Sequence, residues 1–177
     1  MDILLLYATL EGQTKKIAER IAQELHNKGH QVGIYSSEQL PADFGIESYD
    51  AAILGGSIHM GNYPKSLKRF VQHYHDWLNN HPSALFTVCM AINSQRPESR
   101  QEANAYAEKF TTETKWQPTQ MATFAGAIKY TKYGILTRYI MKWIAKREGG
   151  STDTSRDHEY TNWDAVVLFT EQFVDKQ

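Results

Sequence analysis

Near its start the chain reads Ile3-Leu4-Leu5-Leu6-Tyr7, and the polar turn Thr9-Leu10-Glu11-Gly12-Gln13-Thr14 follows almost at once. An unbroken apolar run of this length is typical of a strand that is covered on both faces, as in a parallel sheet. After the turn, apolar residues recur at helical spacing from Ile17 to Leu25, and Gly29 stands where a C-terminal cap glycine belongs. A strand, a polar turn and an amphipathic helix in this order predict the first unit of an α/β fold.

The same alternation continues along the chain and predicts one α/β domain over residues 1–177, with a doubly wound, five-stranded parallel sheet. Further strands are predicted at residues 31–35, 50–56, 84–91 and 121–127, and helices over Leu67 to Leu78, over 98–115 and over Trp163 to Val174. Residues 36–49 are compatible with either a short helix or a loop. Thr161 and Asp164 are expected to be the N-cap and the N3 partner of the last helix.

Residues 128–160 break the alternation and are predicted to be an insertion between the fifth strand and the last helix. About thirty residues separate these two elements, whereas such connections usually have roughly two to six residues. A connection of this length is usually functional or disordered.

Composition excludes several classes of protein. The 177 residues are 41% apolar and 22% charged, unlike a disordered, collagen-like or low-complexity chain. Cys89 is the single cysteine, so neither an intramolecular disulfide nor a cysteine-built metal cluster is expected, and a buried position in strand four is predicted for it. We expect no metal, no signal peptide and no membrane-spanning segment. The net charge of −1 argues against a nucleic-acid-binding protein.

That net charge conceals a basic segment, residues 129–147, which holds six Lys or Arg and no Asp or Glu. The rest of the chain carries 13 Lys or Arg against all 20 Asp and Glu, a balance of −7. Aromatic and aliphatic residues of the basic segment fall on one helical face, flanked by cations. This pattern predicts a helix that binds a membrane surface or a partner. The alternative is a helix that packs its apolar face on the domain and leaves its cations in solvent.

Three loops are predicted to meet at the carboxyl edge of the sheet, where ligands bind in open α/β folds. The first loop, residues 9–14, lacks the glycine patterns of nucleotide-triphosphate and dinucleotide sites, which leaves a cradle for a single phosphate or an ordinary polar turn. The second loop, residues 55–63, has glycines that would let the backbone approach a flat ligand, unless it is simply a flexible turn. The third loop, residues 91–95, offers amide groups.

These loops resemble the flavin mononucleotide (FMN) site of the flavodoxin family, with Glu11-Gly12-Gln13-Thr14 where flavodoxins usually have Thr-Gly-Asn-Thr. Nearly the whole chain more closely resembles the bacterial flavodoxin-like protoporphyrinogen oxidases, which are quinone-dependent protoporphyrinogen IX dehydrogenases of haem biosynthesis. The segment from Ala125 to Trp163, with Gly149-Gly150 and Thr152-Asp153-Thr154, separates that family from ordinary flavodoxins. His59 stands where we expect an arginine in better-known members.

The resemblance implies an FMN-dependent oxidoreductase that converts protoporphyrinogen IX to protoporphyrin IX and passes electrons to menaquinone or ubiquinone. Because the flavin carries the electrons, no side chain is assigned as catalytic, and His59 is the single candidate. The cofactor-binding residues that the resemblance implies are Thr9, Leu10, Glu11, Gly12, Gln13, Thr14, Ser57, Ile58, His59, Met60, Gly61, Tyr63, Ala91, Ile92 and Asn93. The residues expected to bind the substrate or an anionic membrane surface are Lys129, Tyr133, Arg138, Tyr139, Lys142 and Trp143.

The expected location is the cytoplasm, peripherally on the inner face of the cell membrane, and the oligomeric state is left open. Two alternative functions use the same fold: a flavodoxin-type electron carrier and an NAD(P)H:quinone reductase. A third alternative is a flavin-free membrane or interaction protein.

Overall fold

The computed structural model of the chain describes residues 1–132, 151 and 153–176. Its central sheet has five parallel strands, which are β1 (Asp2–Ala8), β2 (Gln31–Ser36), β3 (Ala51–Ser57), β4 (Ser83–Val88) and β5 (Gln120–Phe124). The strand order is β2-β1-β3-β4-β5, so the order reverses between β1 and β3. The described helices are α1 (Gln13–Asn27), α2 (Lys65–Asn80), α3 (Pro97–Thr114) and α4 (Trp163–Val174). The prediction of a flavodoxin-like, doubly wound α/β fold is confirmed.

Both faces of the sheet are covered, which explains the unbroken apolar run of β1. Ile3 and Leu5 belong to a buried cluster with residues of α1 and α4. Leu4 and Leu6 belong to a second cluster with residues of α2 and α3. Because successive side chains of a strand point to opposite faces, every position of this central strand needs an apolar residue.

The C-terminal end of α1 has the cap glycine that the sequence predicts. Gly29 has a φ of +83°, and its N–H donates to the carbonyl of His26 at 2.9 Å. The N–H of His30 donates to the carbonyl of Leu25 at 3.0 Å, which completes a Schellman motif. A residue with a side chain would be strained at this positive φ, so glycine belongs here.

The predicted cap of the last helix is wrong by one residue. Asn162 is the N-cap of α4, and its Oδ1 accepts a hydrogen bond from Ala165 N at 3.1 Å. The Thr161 hydroxyl instead donates to the carbonyl of Ala125 at 2.8 Å. This hydrogen bond anchors the chain beside the end of β5 before the helix begins. The buried face of α4 consists of Val166, Phe169, Thr170 and Phe173.

Two predicted strands end earlier than expected. Strand β4 stops at Val88 and a short 3₁₀ turn, Met90–Asn93, follows it. Strand β5 stops at Phe124, whose carbonyl accepts the N–H of Cys89 at 3.0 Å, and Cys89 is buried as predicted but lies just beyond β4. The chain then leaves the sheet and forms β6 (Ala127–Ile128), which pairs in antiparallel fashion with β7 (His158–Glu159).

Residues 36–49 contain a 3₁₀ turn at Ile46–Ser48. None of the helices in the described part of the chain is both long enough and apolar enough to cross a lipid bilayer.

Candidate functional site

A cavity of about 350 Å³ lies at the carboxyl ends of the central strands, where the strand order reverses. All three loops contribute to its walls, as the sequence predicted. The predicted cofactor-binding residues that line it are Thr9, Leu10, Glu11, Gln13, Thr14, Ser57, Ile58, His59, Met60 and Ala91. This volume suits a small-molecule ligand.

The first loop turns directly into α1 and presents that helix's N-terminus to the cavity. Gly12, the N-cap residue, has a φ of +90°, and its N–H donates to Thr9 Oγ1 at 2.9 Å. The first N–H groups of a helix have no acceptor within the helix, so they are available to an external anion. The first loop is therefore built to receive a negatively charged group.

Three buried polar atoms on the cavity wall have no hydrogen-bond partner within the described part of the chain. They are Gln13 Oε1, Thr14 Oγ1 and Ser57 Oγ. An unsatisfied buried polar group costs about 1–3 kcal/mol, so each of these atoms needs a partner such as a ligand or an ordered water. A ligand with a phosphate and further polar groups would satisfy them.

The second loop ends in a tight two-residue turn. His59 N donates to Asn62 O at 2.9 Å and Asn62 N donates to His59 O at 3.1 Å, while Met60 and Gly61 both have positive φ values, of 49° and 76°. Two successive positive φ values are the signature of a type I′ turn. The turn leaves Met60 88% exposed, and Leu10 of the first loop is 59% exposed. Both line the cavity, so its walls include accessible apolar side chains.

Tyr63 was expected to cover a flat ligand, but the structure places it behind the second loop, away from the cavity walls. Its ring packs on Phe110 with 4.2 Å between ring centroids, and its hydroxyl and Thr87 Oγ1 form a 2.6 Å hydrogen bond. Burial raises the pKa of the Tyr63 hydroxyl. The residue supports the loop from the core, because Gly56 leaves room for its ring beside β3.

Four other predicted cofactor-binding residues do not line the cavity. Gly12 shapes the first loop through its backbone, and Gly61 lies against the ring of Tyr106 in α3. Ile92 and Asn93 belong to the 3₁₀ turn after β4, where Asn93 is exposed. The turn directs the start of the third loop, rather than its middle, toward the cavity.

The sequence prediction missed five residues that line the cavity: Val88, Cys89, Met90, Gly126 and Ala127. They follow the ends of β4 and β5, so the rule that ligands bind beyond strand ends could have found them if those ends had been predicted correctly. Burial raises the pKa of Cys89, which keeps this thiol protonated at neutral pH.

The two ends of the insertion are joined beside the cavity. Ile128 pairs with His158, and Asp157 Oδ1 accepts both the N–H and the hydroxyl of Thr131, at 3.0 and 2.8 Å. We call residues 127–131, 151 and 153–160 the insertion base. Because Ala127 also lines the cavity, the base forms part of its rim.

Three polar contacts join the insertion base and the adjacent Thr161 to the first loop and the first turn of α1. Lys129 Nζ donates to the carbonyl of Glu11 at 2.5 Å, Gln13 Nε2 donates to Thr161 Oγ1 at 2.9 Å, and Lys16 Nζ lies 3.1 Å from Glu159 Oε2. Partial burial opposes ionisation of Glu159, but hydrogen bonds from Lys16, Gln13 and Trp163 outweigh it and lower the pKa. The insertion base and the first loop therefore form one polar network.

Five of the predicted substrate or membrane residues lie outside the described residues: Tyr133, Arg138, Tyr139, Lys142 and Trp143. Within residues 1–132, 151 and 153–176, no cluster of three or more His, Cys, Asp or Glu side chains could hold a metal ion.

Comparison with known proteins places the chain among flavodoxin domains. Residues 4–155 match the model of a flavodoxin domain. The chain is 35% identical over 173 residues to a protoporphyrinogen IX dehydrogenase [quinone] of Escherichia coli K12, covering 97% of the chain and 94% of that protein. It is 30% identical over 170 residues to the Leishmania major protein of the same name, covering 96% and 73%. Oxidised flavodoxin 1 from Bacillus cereus superposes with a TM-score of 0.60 at 15% identity, over 100% of the chain and 99% of that structure.

Proposed function

The chain belongs to the flavodoxin-domain family that includes the quinone-dependent protoporphyrinogen IX dehydrogenases, and on that premise we propose that it oxidises protoporphyrinogen IX to protoporphyrin IX. In this reaction FMN would be the cofactor and a quinone the electron acceptor. The observation that carries the proposal is the identity of 35% across 97% of the chain, which extends through the insertion base. The similarity to flavodoxin 1 of Bacillus cereus, at 15% identity, supports only the assignment of the fold.

The cavity fits an FMN molecule by the chemistry of its walls. The N-terminus of α1 and the hydroxyl of Thr14 would hold the phosphate, and Ser57 and Gln13 would meet the polar side chain or ring edge of the cofactor. Leu10 and Met60 supply apolar surface for a flat ring system. When bound, FMN accepts the electrons removed from the substrate and passes them to the acceptor.

The basic segment is the part of the chain that suits the substrate and its surroundings. Protoporphyrinogen carries two propionates, and quinones reside in the bilayer, so six cations in residues 129–147 would serve a carboxylate or an anionic lipid surface. The protein would work as a peripheral enzyme on the inner face of the cell membrane, with menaquinone or ubiquinone as the acceptor.

The test is turnover by the FMN-loaded protein. Protoporphyrinogen IX with a water-soluble quinone should yield fluorescent protoporphyrin faster than the flavin-free protein does, and NADPH should not replace the porphyrinogen as reductant. Rapid bleaching of the flavin by NADPH, with none by porphyrinogen, would instead establish an NAD(P)H:quinone reductase. Bleaching by neither reductant would leave an electron carrier and contradict the proposal.

A further inference from the structure

We propose that Lys129, at the insertion base, binds the phosphate group of the cofactor and gives the site its preference for a phosphorylated flavin over riboflavin. The inference rests on the proposed function, because it needs a flavin nucleotide in the cavity. The family resemblance implies that Lys129 binds the substrate or the membrane; in the structure its ammonium group lies against the first loop.

Geometry places the ammonium group of Lys129 at the start of α1. Its Nζ is 2.5 Å from the carbonyl oxygen of Glu11, and a Cβ atom built on Gly12 would lie 3.5 Å from it. A lysine ammonium has three N–H donors, and the bond to Glu11 uses one of them. Among the described residues no acceptor is found for the other two donors, which could bind an anion at the same helix end.

An independent observation marks this place as a ligand site. Thr14, in the first turn of α1, is 1% exposed and lines the cavity, and within the described residues its hydroxyl oxygen has no partner. A helix N-terminus, an unused buried hydroxyl and an ammonium group form a donor set suited to a phosphate monoester, which carries a charge of about −1.5 to −2 at pH 7.

Charge balance favours the same assignment. The loop already contains the carboxylate of Glu11, and a cation beside the loop would offset the added negative charge of a phosphate. The two lysines in the first turns of α1 already face carboxylates, since Lys15 lies 3.7 Å from Glu19 and Lys16 lies 3.1 Å from Glu159. Lys129 reaches the loop from a position 118 residues away and contacts a backbone carbonyl there.

The experiment measures dissociation constants of FMN and of riboflavin for the full-length flavin-free protein, by quenching of flavin fluorescence. Lys129→Met should raise the FMN constant about tenfold or more, since hydrogen bonds to charged groups contribute this much, and should leave the riboflavin constant unchanged. Lys129→Arg keeps the charge and should retain most of the preference for FMN. Lys28→Met, which removes the same charge at the far end of α1, is the matched control and should change neither constant.

Three results would overturn the assignment, and they differ from a failure of the proposed function. An unchanged preference for FMN in Lys129→Met would show that the phosphate does not contact this residue. An equal loss of FMN and riboflavin binding would show that Lys129 only braces Glu11. If Lys129→Arg lost as much of the preference for FMN over riboflavin as Lys129→Met does, a role of the positive charge would be excluded. Wild-type protein that binds neither flavin would contradict the proposed function itself.

Discussion

Thr14 and Thr170 are two buried helical threonines whose hydroxyl groups can be compared directly. The hydroxyl of Thr14 is buried at the start of α1 without a partner among the described residues. Thr170 is also fully buried in a helix, but its hydroxyl donates to the carbonyl of Val166 at 2.9 Å. The two threonines have the same chemistry and opposite hydrogen-bonding states, so they form a matched pair for mutation.

We expect Thr14→Val to weaken FMN binding without destabilising the flavin-free protein. The valine removes an unsatisfied hydroxyl, so the free energy of unfolding in urea should stay constant or rise, whereas the FMN dissociation constant should rise about tenfold. Thr170→Val loses a satisfied hydrogen bond, so it should lower the free energy of unfolding by about 0.5–1.5 kcal/mol and leave FMN binding unchanged. If Thr14→Val behaves like its control, the hydroxyl does not serve the cofactor.

The positions of predicted site residues follow from the sequence where it carries a local signal, and cofactor binding by these residues stays a prediction. Residues of the polar turn at 9–14 and residues 57–60 of the second loop line the cavity, because both loops follow directly after apolar strands. Tyr63 could not be placed from sequence, because a tyrosine after a glycine-rich strand end can turn toward a ligand or toward the core. Its ring packs on Phe110, 47 positions later, and no local pattern reports such a contact.

At the scale of elements, β6 and β7 are the parts that sequence patterns did not reveal. Each has two residues, too short for a detectable alternation of apolar and polar positions. The long helices and the five sheet strands were found because their buried faces repeat over several turns or pleats. Strand β5 was predicted too long, since its apolar run continues into residues that leave the sheet.

We expect the contact between β7 and α1 to make stability depend on pH through Glu159. The folded-state pKa of Glu159 is lowered from its ordinary value of 4.5, so its contribution is present above pH 4.5 and is lost as the pH falls through the folded-state value. At pH 7, Glu159→Gln should lower the free energy of unfolding by less than about 1 kcal/mol, because the pair is partly exposed.

Thermal or urea unfolding of both proteins from pH 7 to pH 3 measures this effect. The stability difference between wild type and Glu159→Gln should shrink toward zero at the acidic end. Glu19→Gln, which removes a carboxylate from an exposed pair within α1, controls for the loss of one negative charge. A difference that grows as the pH falls would contradict the ion pair between Lys16 and Glu159.

For the whole molecule, charge is distributed unevenly along the chain. The basic segment carries +6 and the remaining residues −7, so a net charge of −1 describes neither part. The insertion base lies at the rim of the cavity: Ala127 lines the cavity, and Lys129 contacts the carbonyl of Glu11 in the first loop. A surface that attracts the basic segment would therefore also bring the cavity close to it.

We expect the full-length protein to bind vesicles that contain anionic lipid. Each cation near such a surface contributes roughly 1 kcal/mol, so the triple variant Arg138→Gln, Lys142→Gln, Lys146→Gln should bind phosphatidylglycerol vesicles about 100-fold more weakly in a sedimentation assay. The triple variant Lys15→Gln, Lys28→Gln, Lys109→Gln loses the same charge outside the segment and should bind nearly as wild type. Equal losses in both variants would show that net charge alone, and not the basic segment, governs binding.

The paired ends of the insertion have an evolutionary consequence. Because Ile128 and His158 are held together, the rest of the domain meets the same two attachment points whatever lies between them. The entropy of closing a loop grows slowly, by about 0.6 kcal/mol for each doubling of its length. Descendants of such a gene could lengthen, shorten or exchange this segment and so acquire new substrates, while inheriting an unaltered α/β scaffold.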